Sequence, residues 1–232
     1  MFPFMMFDST MILLIPGLIL AAWAQFKVKG TFAKYRDYVS RSGLTADQVA
    51  QDILRRGGLP VEVDYVKGDL SDHYDPRDRT LRLSDSTYGS RSIAAIGVAA
   101  HEAGHAFQHA HGYVPLSIRS NIVPVANFGS MLGMPLFFIG LFSGIGFLVD
   151  LGIVFFSFAV FFGLVTLPVE FNASSRAIRI LSEGGYLTQE EIPAARKVLN
   201  AAAWTYVASA LMAVLSLLRL LILSGILGGR DE

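Results

Sequence analysis

The chain has no cysteine. Disulfides and thiolate metal sites are therefore excluded, and any metal must be held by histidines and carboxylates. Charge is also scarce. Asp, Glu, Lys and Arg make up 16% of the 232 residues and hydrophobic residues 53%. A typical soluble domain carries about 25% charged residues, so this chain is too apolar to be an ordinary cytosolic domain. A surplus of one sign is missing as well, with 19 basic and 19 acidic residues. Bulk charge gives no ground for a nucleic-acid partner. Internal repeats and low-complexity segments are absent, which leaves one sizeable unit or two small ones.

What is present is a set of long uncharged runs. A bilayer core of about 30 Å takes about 20 apolar residues in a helix. Thr10 to Phe26 is the first such run, bounded by Asp8 and by Lys27 and Lys29, and Met1 to Phe7 extend it. Its front has no basic residue and no small-x-small site precedes Lys27, so an uncleaved anchor is expected rather than a signal peptide. Asn121 to Val169 holds a single charge, Asp150, and suits two crossings with a turn at Ser143-Gly144-Ile145-Gly146. Ala203 to Leu227 is the fourth run, interrupted by Arg219. The expected class is a mainly α integral membrane protein of about four transmembrane helices with a small α+β domain.

This divides the chain into a first transmembrane helix (1–26), the small α+β domain (27–119), helices two and three (120–169), a helical segment (170–202), and a fourth helix with the C-terminal tail (203–232). Seventeen of the nineteen basic residues lie between Lys27 and Arg119 or are Arg176, Arg179, Arg196 and Lys197. Two crossings separate those loops, so both lie on one side, which the positive-inside rule makes the cytoplasm. The expected location is the cell membrane, with the site facing the cytoplasm and the lipid bilayer as surroundings.

In the first loop, Thr45 reads as the N-cap of a helix carrying Val49, Ile53 and Leu54, which Gly57-Gly58 ends. Val61, Val63 and Tyr65 alternate as a strand does, and Thr80 to Leu83 give a second strand. Asp75-Pro76-Arg77-Asp78 has turn chemistry between them, so a small hairpin is expected. From Ser92 one helix runs to near Gly112. The second loop reads as two helices, broken at Gly184-Gly185.

The helix from Ser92 carries His101-Glu102-Ala103-Gly104-His105. Histidines four apart share one helix face and can share one zinc ion. Glu102, beside the first of them, is placed to take a proton from an attacking water as general base. Ala103 and Gly104 let another element pack closely. His109 continues the same face, either near substrate or as a capping or exposed side chain, and His111 ends the helix. A catalytic zinc needs a third protein ligand and an open position. Asp150 lies on the far side of the membrane by the crossing count, and Glu183 sits in a Gly-Gly turn. Glu170 directly follows the third run, on the side of His101. An ionisable residue there is costly unless it has a role. The expected metal ligands are therefore His101, His105 and Glu170.

His101 to His109 (HEAGHAFQH), with Leu167 to Ala177 (LPVEFNASSRA), resembles the bacterial YugP-like membrane zinc metallopeptidases. Ser71-Asp72-His73-Tyr74-Asp75-Pro76 and Leu83-Ser84 fit the same family, and the likeness covers nearly the whole chain. More distantly, the arrangement is similar to the HtpX and Ste24 membrane peptidases, which also place two membrane helices between the His motif and a ligand Glu. Their Glu-x-x-x-Asp pattern maps Glu170 as ligand and puts Ser174 where an Asp orients a zinc histidine. Asn172 or an acidic residue of the first loop is the alternative for that task.

The resemblance implies hydrolysis of peptide bonds by a gluzincin-type site; the expected partner is a protein or peptide substrate, soluble proteins and membrane proteins both being open alternatives. A substrate strand pairing with an edge strand is part of that scheme, with Thr80 to Leu83 as the candidate edge. His73, Tyr74 and Arg176 are oxyanion candidates with ordinary structural alternatives. Two rival readings remain. One is a site-2-type intramembrane protease using Asp150 in Val149-Asp150-Leu151-Gly152. The other is a membrane scaffold with a structural zinc, in which Glu102 has no task.

Overall fold

The computed structural model describes residues 8–227. The Met1 to Phe7 extension of the first segment, Arg230 and the end of the tail lie outside them. A short 3-10 helix, Ser9–Leu14, leads into α1 (Ile15–Arg36). Then follow α2 (Ala46–Arg56), β1 (Glu62–Tyr65), β2 (His73–Asp75), β3 (Thr80–Leu83), α3 (Ile93–Ala110), α4 (Val114–Ser143), α5 (Gly146–Glu183) and α6 (Ile192–Leu223). Four helical stretches are long and apolar enough to cross a membrane: Ser9–Arg36, Val114–Ser143, Gly146–Glu183 and Ile192–Leu223. The fold is thus mainly helical, with four candidate membrane spans and one small sheet.

The described chain forms two compact units, 8–23 with 118–167 and 205–227, and 24–117 with 168–204. In the first, Phe137, Val149, Ile153, Phe156, Val160 and Leu220 form the core. α4 and α5 approach backbone to backbone there: a Cβ on Gly152 would lie 2.6 Å from the Phe137 nitrogen. Small residues permit such contacts where lipid supplies no hydrophobic drive. Phe128, Phe147 and Phe161 are exposed, as side chains facing hydrocarbon are. Arg219, a charge inside the fourth apolar run, has partners: its guanidinium donates to Asp8 Oδ2 and Thr10 Oγ1, both at 3.1 Å. Pairing offsets the cost of an ionised group at that depth.

In the second unit, Val49, Ile53 and Leu54 of α2 pack with Leu81 and Leu83 of β3, Ile96 and Ala99 of α3, Leu181 of α5 and Leu199 of α6. Thr45 precedes α2, and its N–H donates to Gln48 Oε1 at 3.0 Å, one half of a capping box. Ser92 caps α3 by accepting from the Ala95 N–H at 3.1 Å.

The sheet corrects two expectations. Its order is β1-β3-β2, with β1 parallel and β2 antiparallel to β3. The turn at Asp75 to Asp78 therefore joins β2 to β3, and the hairpin is not formed by the strands at 61–65 and 80–83. Thr80 to Leu83 is the central strand and cannot be the free edge; Leu81 and Leu83 are fully buried in it. The second loop also differs. No break separates the third apolar run from Glu170, because α5 runs unbroken through Pro168 to Glu183. α6 likewise starts at Ile192 and continues into the fourth run.

Candidate metal centre

Two helices of the second unit build the site. α3 supplies His101, Glu102 and His105, and α5 supplies Glu170. They meet closely because Gly104 has no side chain: a Cβ there would lie 2.8 Å from the Ala173 carbonyl oxygen. His101 Nε2 lies 3.2 Å from His105 Nε2 and 3.2 Å from Glu170 Oε2, and His105 Nε2 lies 3.6 Å from the same oxygen. Tetrahedral zinc with bonds of 2.0–2.1 Å sets its ligand atoms about 3.3 Å apart. The triangle of donors matches that spacing.

The hydrogen bonds around the imidazoles fix which nitrogen carries a lone pair. Arg176 can only donate, and its Nε–H goes to Asn172 Oδ1 at 2.8 Å. The Val169 carbonyl can only accept, and Gln108 Nε2 donates to it at 2.8 Å and to Asn172 Oδ1 at 3.0 Å. Gln108 Oε1 must then face His105 Nδ1, 3.0 Å away, and accept its proton. Ser174 Oγ lies 3.0 Å from His101 Nδ1 and is able to accept there in the same way. Both Nε2 atoms are left as acceptors, aimed at each other and at a carboxylate oxygen. Three converging lone pairs repel unless a cation lies among them, so this donor set fits a metal ion.

Glu102 is buried beside them. Burial pushes its carboxyl up, while His101 and His105 pull it down and Glu170 and Asp72 add to the rise. Burial alone would lower the His105 imidazole. The Glu170 and Glu102 carboxylates and Gln108 outweigh that and hold it above the ordinary histidine value.

The structure thus brings His101, His105 and Glu170 together as a group able to hold an ion, and neither Asp150 nor Glu183 joins it. Ser174 reaches His101 despite replacing a carboxylate, whereas Asn172 acts on the other histidine through Gln108. Gln108 went unread in the sequence. Its only signal was a position three residues after His105, on the next turn of the same helix. His109 pairs with Tyr74, whose hydroxyl lies 2.8 Å from His109 Nδ1. His73 Nδ1 donates to the Ser71 carbonyl at 2.9 Å, Arg176 is engaged by Asn172, and His111 bonds to the Phe107 carbonyl at the end of α3.

The chain combines four membrane-length helices with a largely buried His-His-Glu cluster, the combination expected of a membrane metallopeptidase. The chain belongs to the family described as "Putative neutral zinc metallopeptidase", which matches residues 10–225. It is 50% identical over 221 residues to the "Putative membrane protease YugP" of Bacillus subtilis (strain 168), covering 95% of this chain and 97% of that protein. The resemblance to YugP-like membrane zinc peptidases is thereby borne out. No solved structure matches the chain.

Proposed function

We propose that the chain is a membrane-embedded, zinc-dependent endopeptidase with a gluzincin-type site. His101, His105 and Glu170 are its ligands and Glu102 its general base. The observation that carries this is the triangle of two Nε2 atoms and one carboxylate oxygen, each 3.2–3.6 Å from the next, with both Nδ1 atoms committed elsewhere. Zinc bound there supplies Lewis-acid chemistry, lowering the pKa of a water and polarising a peptide carbonyl.

The residues around it do the rest. Ser174 and Gln108 hold the two rings in the required tautomer. Glu102 takes the proton of the attacking water and passes it to the departing amine. Its burial favours that role, because a carboxylate with a raised pKa is the stronger base. With β3 central, the substrate strand goes to the edge strand β2, whose Tyr74 is tied to His109 on α3. Substrates are proteins or peptides, membrane proteins among them. The charge distribution supports a cell-membrane protein with the site facing the cytoplasm.

The test is Glu102→Gln, with zinc content and peptide cleavage measured on one preparation. The variant is expected to keep its zinc and lose cleavage by about 10²–10⁴-fold, the usual weight of a general base. Equal cleavage by variant and wild type sinks the proposal.

A further inference from the structure

A second polar site lies on the same unit, on elements that carry none of the metal ligands. The C-terminal part of α1 and the start of α6 enclose a groove of about 410 Å³. Three lysines line it: Lys27 and Lys34 from α1 and Lys197 from α6. No carboxylate is among the lining residues, in a chain whose formal net charge is zero. Thr31 and Asn200 add a hydroxyl and a carboxamide, and Trp204 adds an exposed indole. The Lys34 ammonium sits 5.5 Å over the ring of Tyr35, another lining residue.

The spacing is regular on both helices. Lys27, Thr31 and Lys34 are four and then three residues apart, and so are Lys197, Ala201 and Trp204, which puts each set on one helix face. Both helices also change character here. The uncharged run of the first segment ends at Phe26, and the fourth run, within α6, begins at Ala203. The groove therefore stands at the level where apolar helix gives way to charged helix, the level of lipid headgroups.

Gly30 is the second and independent observation. It lies in the interior of α1 and lines the groove. A glycine there weakens the helix relative to alanine. Close packing explains such glycines elsewhere in this chain, but a Cβ on Gly30 would meet nothing within 4 Å. What its missing side chain preserves is the open space between the lysines.

We propose that the groove between α1 and α6 binds the phosphate headgroup of an anionic phospholipid. The lysines neutralise the phosphodiester, Thr31 and Asn200 hydrogen-bond its oxygens, and Trp204 lies against the glycerol and upper acyl chain. Basic pockets between membrane helices recognise anionic headgroups by this chemistry. The proposal is independent of the peptidase reading, since no residue of the metal centre takes part.

The full chain is to be purified in detergent and offered phosphatidylglycerol, phosphatidylcholine or glycerol 3-phosphate, with bound ligand counted by native mass spectrometry. Wild type is expected to retain phosphatidylglycerol in preference to phosphatidylcholine. Each Lys→Gln change should weaken retention about fivefold, and the triple variant K27Q/K34Q/K197Q about a hundredfold. Gly30→Leu fills the groove without changing charge and favours the helix, so it should keep the fold and the lipid-free melting temperature yet lose the lipid. Retention by a folded Gly30→Leu equal to wild type overturns the proposal. So does glycerol 3-phosphate binding as tightly as the lipid, which would make this a site for soluble phosphates.

Discussion

Gly104→Ala separates the metal centre from general stability. The added Cβ would sit 2.8 Å from the Ala173 carbonyl oxygen and 3.3 Å from the Ala173 Cα. Both are backbone atoms of α5 and cannot swing aside. Ordinary contact begins near 3.4 Å, so α3 and α5 must part by about 0.6 Å. Zinc sites tolerate about 0.2 Å of error in ligand distance. The displacement is therefore three times the tolerance, and it acts on the pair of helices that carry His101, His105 and Glu170. Overpacking costs about 1–3 kcal/mol, while alanine in place of a helical glycine returns about 1 kcal/mol. The melting temperature of the metal-free protein should thus fall only slightly. Zinc affinity should fall at least tenfold, measured by competition with a chromogenic chelator on matched samples. A variant that binds zinc as tightly as wild type would refute the view that helix proximity at Gly104 sets the site.

Other expectations follow from the same geometry. Gln108→Leu removes the acceptor for His105 Nδ1 and leaves the Val169 carbonyl without its donor; zinc affinity should fall about 10–100-fold, and an unchanged dissociation constant would show that Gln108 does not set the tautomer. Acidification should release zinc, because protons compete for the imidazoles. His105 is held above the ordinary value near 6.5, so the loss should begin at or above that pH and grow as pH falls. A chelator titration from pH 8 to 5 reads it, and affinity that is flat or rises on acidification contradicts the assignment.

The four membrane runs were readable because each is an uncharged stretch of sufficient length, a property local to the sequence. Two members of the His-His-Glu cluster were readable because helical spacing of four fixes their relation. Glu170 needed only a count of crossings. What was hidden depended on pairing between distant segments. β2 is three residues, one of them an aspartate, with no β-branched side chain, so propensity gave no sign of it. Without β2, β3 looked like an edge, although burial of Leu81 and Leu83 makes it the centre. The unbroken helix through Glu170 was hidden by Pro168, which ordinarily ends one. Gln108 was hidden because its task exists only once α5 supplies the Val169 carbonyl and Asn172. Arg219 looked like an interruption because its partner Asp8 lies more than two hundred residues away in sequence.

The ligand set is tested most directly by counting zinc per chain in wild type, Glu170→Ala and Asp150→Ala, prepared together in the same detergent. One zinc is predicted in wild type and in Asp150→Ala, and its loss in Glu170→Ala. Zinc kept by Glu170→Ala and lost by Asp150→Ala would contradict the site described here.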